Sequence, residues 1–314
     1  MLTNTRIFVP HPPANTALFL MGPTASGKTD LAIKISQYIK ARLISVDSAL
    51  IYQGMDIGTA KPDKQTLAKH SHYLVDICKP SESYSAQDFV NDATAQINLA
   101  FANNELPILV GGTSFYFNAL EHGLSDLPES TNESRLKFNQ LLKEKGSEAL
   151  HKELAEIDPI AAKRIHPNDS QRITRALEVF DISGQTLTKL QGQKQGGLNC
   201  KIQKIILMPD RPLLHQRIET RFYQMMEQGF IDEVKALKQD TSLHEDLPSI
   251  RCVGYRQAWQ FLNGEIDEAE MIERAIIATR QLCKRQSTWL KSETQGLRLT
   301  QGDVEKSLNF INSH

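Results

Sequence analysis

The chain has 314 residues, 23% of them charged, with a formal net charge of −1. That length can bury a sizeable core and suits one large domain with an insertion, or two domains. Near-neutrality excludes a chain-wide basic footprint while allowing a local basic face. The distant Cys78, Cys200, Cys252 and Cys283, with no C-x-x-C pair, argue for reduced thiols in a cytosol rather than zinc or disulfides.

Residues 1–16 contain Pro10, Pro12 and Pro13 but no apolar stretch of the signal-peptide kind, so a loose tail is expected there. No apolar run approaches a membrane span, and a cytoplasmic protein without membrane contacts is expected. Short β-branched runs at 17–21, 42–46, 73–76, 107–110, 201–208 and 297–300 read as strands. Helical periodicity fills 30–40 and 86–103. Alternation of this kind predicts an α/β fold, a parallel sheet flanked by helices.

From 124 to 197 the alternation stops, and helices are predicted at 132–145, 147–157, 159–164 and 170–183. Turn signals at Gly146, Asp158-Pro159, His166-Pro167-Asn168-Asp169 and Gly184 separate them. This segment reads as an all-helical insertion able to act as a lid, and a polar Gly/Gln stretch at 191–197 leads out of it. Residues 17–123 and 198–314 then form the core, whose later helices fall at 213–228, 231–239, around 251–262, and 268–291.

Gly22, Pro23, Thr24, Ala25, Ser26, Gly27, Lys28 and Thr29 spell G-x-x-x-x-G-K-T between the first strand and a helical pattern. That setting is the one a phosphate-binding loop requires. Its glycines let backbone N–H groups approach phosphate oxygens, and the helix start adds partial positive charge. Lys28 suits the terminal phosphate and the Thr29 hydroxyl suits Mg²⁺.

Other residues are open to two readings each. Asp47 ends the second strand, where it suits either a proton acceptor or a turn cap, and position alone favours neither. Gly111-Gly112-Thr113 is either a tight turn or a close backbone approach with a hydroxyl to orient a ligand. Arg217 and Arg221, four apart on one helix face, could clamp a diphosphate, although taken alone a solvated face with Glu219 nearby explains them better. Arg172 and Arg175, Arg251 and Arg256, then Arg274, Arg280, Lys284, Arg285 and Lys291 lie in elements with little acid. With Tyr255 and Trp289 interleaved, they favour a nucleic-acid surface over mere solvation.

The segments GPTASGKT (22–29), DSALIYQGMDIGTAKP (47–62), LVGGT (109–113), RIHPNDSQRITRALEVF (164–180), LPSIRCVGYRQ (247–257) and ATRQLCKRQSTWL (278–290) resemble the bacterial tRNA dimethylallyltransferases, or tRNA isopentenyltransferases. The likeness covers nearly the whole chain, and the second and fifth segments carry more specificity than the phosphate loop. Its cysteines offer nothing for the C-terminal zinc module of eukaryotic relatives. The resemblance implies transfer of a dimethylallyl group to the exocyclic amine of the adenine 3′ of the anticodon, with release of diphosphate. It implies that Gly22 to Thr29, with Arg217 and Arg221, hold dimethylallyl diphosphate, and that Thr29 holds Mg²⁺. Lys28 and Arg221 would stabilise the leaving group, Asp47 would accept the amine proton, and Thr113 would place the reacting atoms.

The anticodon stem-loop of tRNA would meet Asp47, Ser48, Ala49, Leu50, Thr113, Arg135, Gln171, Arg172, Ile173, Thr174 and Arg175. It would also meet Arg251, Cys252, Val253, Gly254, Tyr255 and Arg256, then Lys284, Arg285, Gln286, Ser287, Thr288, Trp289, Leu290 and Lys291. A monomer is expected. Two rivals share the loop: a small-molecule or nucleoside kinase, which has no use for basic C-terminal helices, and an RNA-binding nucleotide switch, which binds RNA without making product.

Overall fold

The computed structural model describes residues 14–192 and 194–313. The proline-rich tail lies outside these residues up to position 13. In chain order the strands are β1 (Thr16–Met21), β2 (Ala41–Val46), β3 (His72–Tyr73), β4 (Leu106–Gly111), β5 (Leu124–Ser125), β6 (Lys194–Gln195), β7 (Lys201–Leu207) and β8 (Leu297–Leu299). The first helices are α1 (Lys28–Ser36), α2 (Lys64–Lys69), α3 (Ala86–Ala102), α4 (Ser114–His122), α5 (Asn132–Lys145), α6 (Ser147–Ile157) and α7 (Pro159–Arg164). The later ones are α8 (Ser170–Ser183), α9 (Leu187–Leu190), α10 (Arg211–Glu227), α11 (Phe230–Lys238), α12 (Tyr255–Leu262), α13 (Glu268–Ser292) and α14 (Val304–Asn312).

Six strands form one parallel sheet in the order β3-β2-β4-β1-β7-β8, as the alternation of strands and helices predicts. β1 and β4 are buried along their whole length, which fits the near-continuous apolar runs of a sheet covered on both faces. Leu18, Leu20, Ile108, Val110 and Ile205 pack with Leu31 and Ile35 of α1 and with Leu308 and Ile311 of α14. A second cluster gathers Phe222, Phe230, Tyr255, Trp259, Met271 and Ile276 from α10 to α13. Met21 pairs with Gly111, and Gly111 with Val46, so the register sets the carboxyl ends of β1, β4 and β2 level with one another.

The expected strand at 73–76 is shorter and earlier, because Leu74 and Asp76 take φ of 62° and 56° and end the extended backbone. Residues 120–198 form a compact unit of their own, and the remainder forms another. The smaller unit departs from the all-helical expectation: β5 and β6 pair antiparallel at its two ends, Leu124 opposite Gln195. Its core is Phe138, Leu150, Leu154, Ile173, Leu177 and their neighbours on α5 to α8. Three of these helices begin at side-chain N-caps, with Thr131, Asp158 and Asp169 accepting from backbone N–H groups of α5, α7 and α8. No helix among the described residues is long and apolar enough to cross a membrane.

Candidate active site

The glycines of the first motif act through distance and dihedral. A Cβ on Gly22 would lie 2.6 Å from Ser26 Oγ and 2.7 Å from Leu207 O, so nothing larger fits between β1 and β7. Ala25 and Gly27 take φ of 64° and 89°, a left-handed pair that turns consecutive N–H groups to one side. The N–H groups of Gly27, Lys28 and Thr29 have no acceptor among the described residues, and the buried Ser26 hydroxyl has no partner. Unsatisfied donors at a helix start form an anion cradle.

Cations surround that cradle. Lys28 Nζ donates to Pro23 O at 3.3 Å. Burial pushes its amine from 10.5 down to about 8; the Asp47 carboxylate opposes the shift and the Arg221 guanidinium adds to it. Arg217 Nη1 donates to Ala25 O at 3.3 Å and Ser26 O at 3.4 Å, the backbone of the loop itself. Burial also lowers the Arg221 value, with Asp30 opposing and Arg217 reinforcing. Both arginines of α10 therefore neighbour the loop, Arg221 half-buried and Arg217 bonded to the loop's backbone from an exposed position. Three cations against Asp30 and Asp47 leave an excess of positive charge for an anionic ligand.

Opposite the cradle, Asp47 Oδ1 accepts from the Ala49 N–H at 2.9 Å, so the carboxylate caps the turn with one oxygen. Its second oxygen has no hydrogen bond among the described residues, which leaves the capping and chemical roles compatible. Thr113 Oγ1 accepts from the Ser48 N–H at 3.3 Å, and the Thr113 N–H donates to Val46 O at 3.3 Å. Thr113 thus ties the end of β4 to Val46 and Ser48, the two residues that flank Asp47.

A third group ties in the C-terminal helix. Gln286 of α13 accepts from the Thr24 N–H at 2.8 Å through Oε1 and donates to Gly112 O at 3.0 Å through Nε2. Gln286, half-buried, bridges the two loops through its amide, an internal role beside the expected RNA contact.

The DIGTAKP loop is anchored by a residue that sequence reasoning missed. Glu233 of α11 accepts from the N–H groups of Asp56, Ile57 and Gly58 at 2.9, 2.8 and 3.2 Å, and from the Tyr255 hydroxyl at 2.5 Å. Its only signal is an acidic pair, Asp232-Glu233, in the first turn of a helix, which ordinarily means a dipole partner. Lys61 adds ion pairs to Asp56 at 2.6 Å and Asp76 at 2.5 Å.

Of the remaining candidates for RNA contact, Ser48, Arg251, Arg256, Lys284, Arg285, Thr288 and Lys291 are exposed or partly exposed in the larger unit. Arg135, Gln171 and Arg172 are exposed in the smaller one. Ala49, Leu50, Cys252, Val253, Ser287 and Trp289 are half-buried. Ile173, Thr174, Gly254, Tyr255 and Leu290 are buried and offer no face to a partner: their motifs keep them for packing. Arg175 is occupied internally, donating to Ser130 Oγ at 2.6 Å and Pro128 O at 2.8 Å. The basic run of α13 is partly neutralised. Arg280 pairs with Glu219 of α10 at 2.6 Å, and Arg274 pairs with Glu270 at 2.5 Å.

A cavity of 560 Å³ opens elsewhere, lined by Glu82, Asp88 and Asp92 among others. Its carboxylates would repel a phosphate compound, so volume alone is a poor guide to this site.

Comparison with known proteins shows the family. The family model described as IPP transferase matches residues 50–293. A tRNA dimethylallyltransferase of Ruthia magnifica is 70% identical over 298 residues, which is 95% of this chain and 98% of that protein. The crystal structure of the tRNA isopentenylpyrophosphate transferase of Bacillus halodurans is similar with a TM-score of 0.68 and 33% identity, covering 95% of both chains. A eukaryotic dimethylallyltransferase crystallised acting on tRNA is similar with a TM-score of 0.72 and 25% identity, over 88% of this chain and 70% of that one. With a cradle of unsatisfied N–H groups after β1, a carboxylate and a hydroxyl at the ends of β2 and β4, and relatives matched over almost their full length, this chain belongs to the IPP transferase family, the tRNA dimethylallyltransferases.

Proposed function

We propose that this chain transfers a dimethylallyl group from dimethylallyl diphosphate to the exocyclic amine of the adenine 3′-adjacent to the anticodon of tRNA. The observation that carries the reading is the juxtaposition of an unsatisfied N–H cradle at Gly27 to Thr29 with Asp47 and Thr113 on neighbouring strands. The cradle takes the diphosphate, and Lys28, Arg217 and Arg221 balance its charge. The amine nitrogen forms a bond to the primary allylic carbon as the carbon–oxygen bond to the diphosphate breaks. The bonding electrons leave with the diphosphate, and the amine proton goes to the free oxygen of Asp47. Thr113 holds the Ser48 backbone and offers its hydroxyl to the substrate. Preorganised donors of this kind commonly contribute about 10²–10³ in rate each. Holding both reactants in one geometry supplies the proximity advantage.

The residues present fit Mg²⁺. The Thr29 hydroxyl makes no hydrogen bond to any described residue and lies in the first turn of α1, next to the unsatisfied N–H groups of the cradle. Magnesium usually takes one or two protein oxygens and completes its shell with phosphate and water. Thr29 would hold it beside the diphosphate, where it would neutralise charge on the leaving group.

The adenine must leave its stack, at a cost of roughly a few kcal/mol. Contacts from Arg251, Arg256, Lys284, Arg285 and Lys291 offset that cost by gripping the stem-loop, and Arg135, Gln171 and Arg172 of the 120–198 unit serve the same RNA. The protein works as a monomer in the cytoplasm. Incubation with bulk tRNA and either labelled dimethylallyl diphosphate or γ-labelled ATP tests the reading. Prenyl label on RNA supports it; phosphorus label on a small molecule, with none on RNA, selects the kinase alternative.

A further inference from the structure

Helix α13 has two working faces in its last three turns. Lys284, Arg285, Thr288 and Lys291 lie on the outer side, whereas Cys283 and Leu290 are buried and Gln286 is half-buried on the inward side. The inward amide binds the Thr24 N–H at 2.8 Å and Gly112 O at 3.0 Å. Thr24 belongs to the phosphate loop and Gly112 to the turn that carries Thr113, so one side chain of α13 holds both halves of the site.

The fit leaves no slack. A Cβ on Gly112 would collide with Gln286 Nε2 and would lie 3.1 Å from Gly22 O. The absence of a side chain at Gly112 is what lets the amide reach. A bond from the loop's backbone to Gln286 also removes the Thr24 N–H from the donors available to phosphate, whereas those of Gly27, Lys28 and Thr29 keep no acceptor among the described residues. The cradle and α13 are therefore linked through one amide.

We propose that Gln286 is a positioning residue that couples the two substrates: RNA on the outer face of α13 and diphosphate in the loop strengthen one another's binding through this amide. The inference rests on the reading of α13 as an RNA surface. By linkage the coupling is reciprocal, so either ligand reports it.

The test measures the affinity of inorganic pyrophosphate for the full chain with and without a saturating anticodon stem-loop RNA. The native protein should show a ratio of about five-fold or more, the lower range of ordinary coupling. Gln286→Met keeps length and loses both hydrogen bonds, and should reduce the ratio to below about two-fold with RNA still bound. Gly112→Ala, which displaces the amide from the other side, should do the same and serves if Gln286→Met fails to fold. A purely structural role would lower the melting temperature and leave the ratio unchanged. A native-sized ratio in either folded variant, or a native ratio near one with RNA bound and prenylated, overturns the coupling alone. Failure of the native protein to bind the RNA at all sinks the coupling and the functional reading together.

Discussion

The hydroxyl of the fully buried Tyr255 donates to Glu233 Oε1 at 2.5 Å, and the same carboxylate collects three backbone N–H groups of the loop at Asp56, Ile57 and Gly58. Burial first, and then the Glu233 carboxylate, hold the Tyr255 phenol well above its ordinary value, so it stays a donor. Two motifs far apart in the chain are thus locked to one anion. Tyr255→Phe should cost about 1.5–3 kcal/mol as the loss of a hydrogen bond to a charged group, and Glu233→Ala about 2–3 kcal/mol because it strands several donors. Urea unfolding of the two single variants and the double variant measures this. Additive losses would show that the two residues act independently.

The same neighbourhood makes Gly58 sensitive. A Cβ there would collide with the rings of Phe230 and Tyr255. Gly58→Ala should destabilise the protein by about 1–3 kcal/mol, as overpacking does. An unchanged urea midpoint would mean that the loop shifts freely and that Glu233 does not fix it.

Lys28 gives a pH prediction with a definite sign. Its amine is lowered by burial from 10.5 to about 8, so it is a cation below that pH and neutral above it. A diphosphate needs the cation, so affinity contributed by Lys28 is present at low pH and lost as pH rises through about 8. Pyrophosphate itself titrates, so the informative quantity is the affinity of the native protein relative to Lys28→Met. That ratio should fall by about ten-fold per pH unit at most once past the midpoint. A ratio independent of pH up to about pH 9.5 would place no titrating lysine at the phosphate.

For the RNA surface, the pairing of Arg280 with Glu219 separates it from Lys284 and Arg285. Lys284→Ala and Arg285→Ala should each reduce the salt slope of tRNA binding by about 0.7–0.9, the release from one phosphate contact. Arg280→Ala should change it less. Equal slopes in all three variants and the native protein would mean that this face of α13 is merely solvated.

Much of this is legible in the sequence because it is local. GPTASGKT needs its glycines at fixed offsets, and β1, β4 and α13 follow from uninterrupted apolar or helical patterns. The parallel sheet follows from alternation. Other features depend on distant partners or on dihedrals that no pattern announces. Leu74 and Asp76 turn left-handed and cut β3 short, and two-residue strands such as β5 and β6 have no period to detect. Gln286 sits in a run of basic residues that suggests RNA, yet its amide points at loops 262 and 174 positions away. Glu233 resembles any acidic residue in a first turn until Asp56, Ile57, Gly58 and Tyr255 surround it. Arg280 looks unopposed until α10 brings Glu219 beside it.

In the proposed reaction carbon, not phosphorus, moves from the ligand held at Lys28, and Asp47 takes the amine proton. The decisive experiment is mass analysis of nucleosides digested from tRNA after treatment with the pure protein and dimethylallyl diphosphate. A five-carbon adduct on the adenosine next to the anticodon is expected, formed at a rate about 10²–10⁴-fold lower with Asp47→Ala. Unmodified adenosine with the native protein, or an undiminished yield and rate with Asp47→Ala, would contradict the proposal.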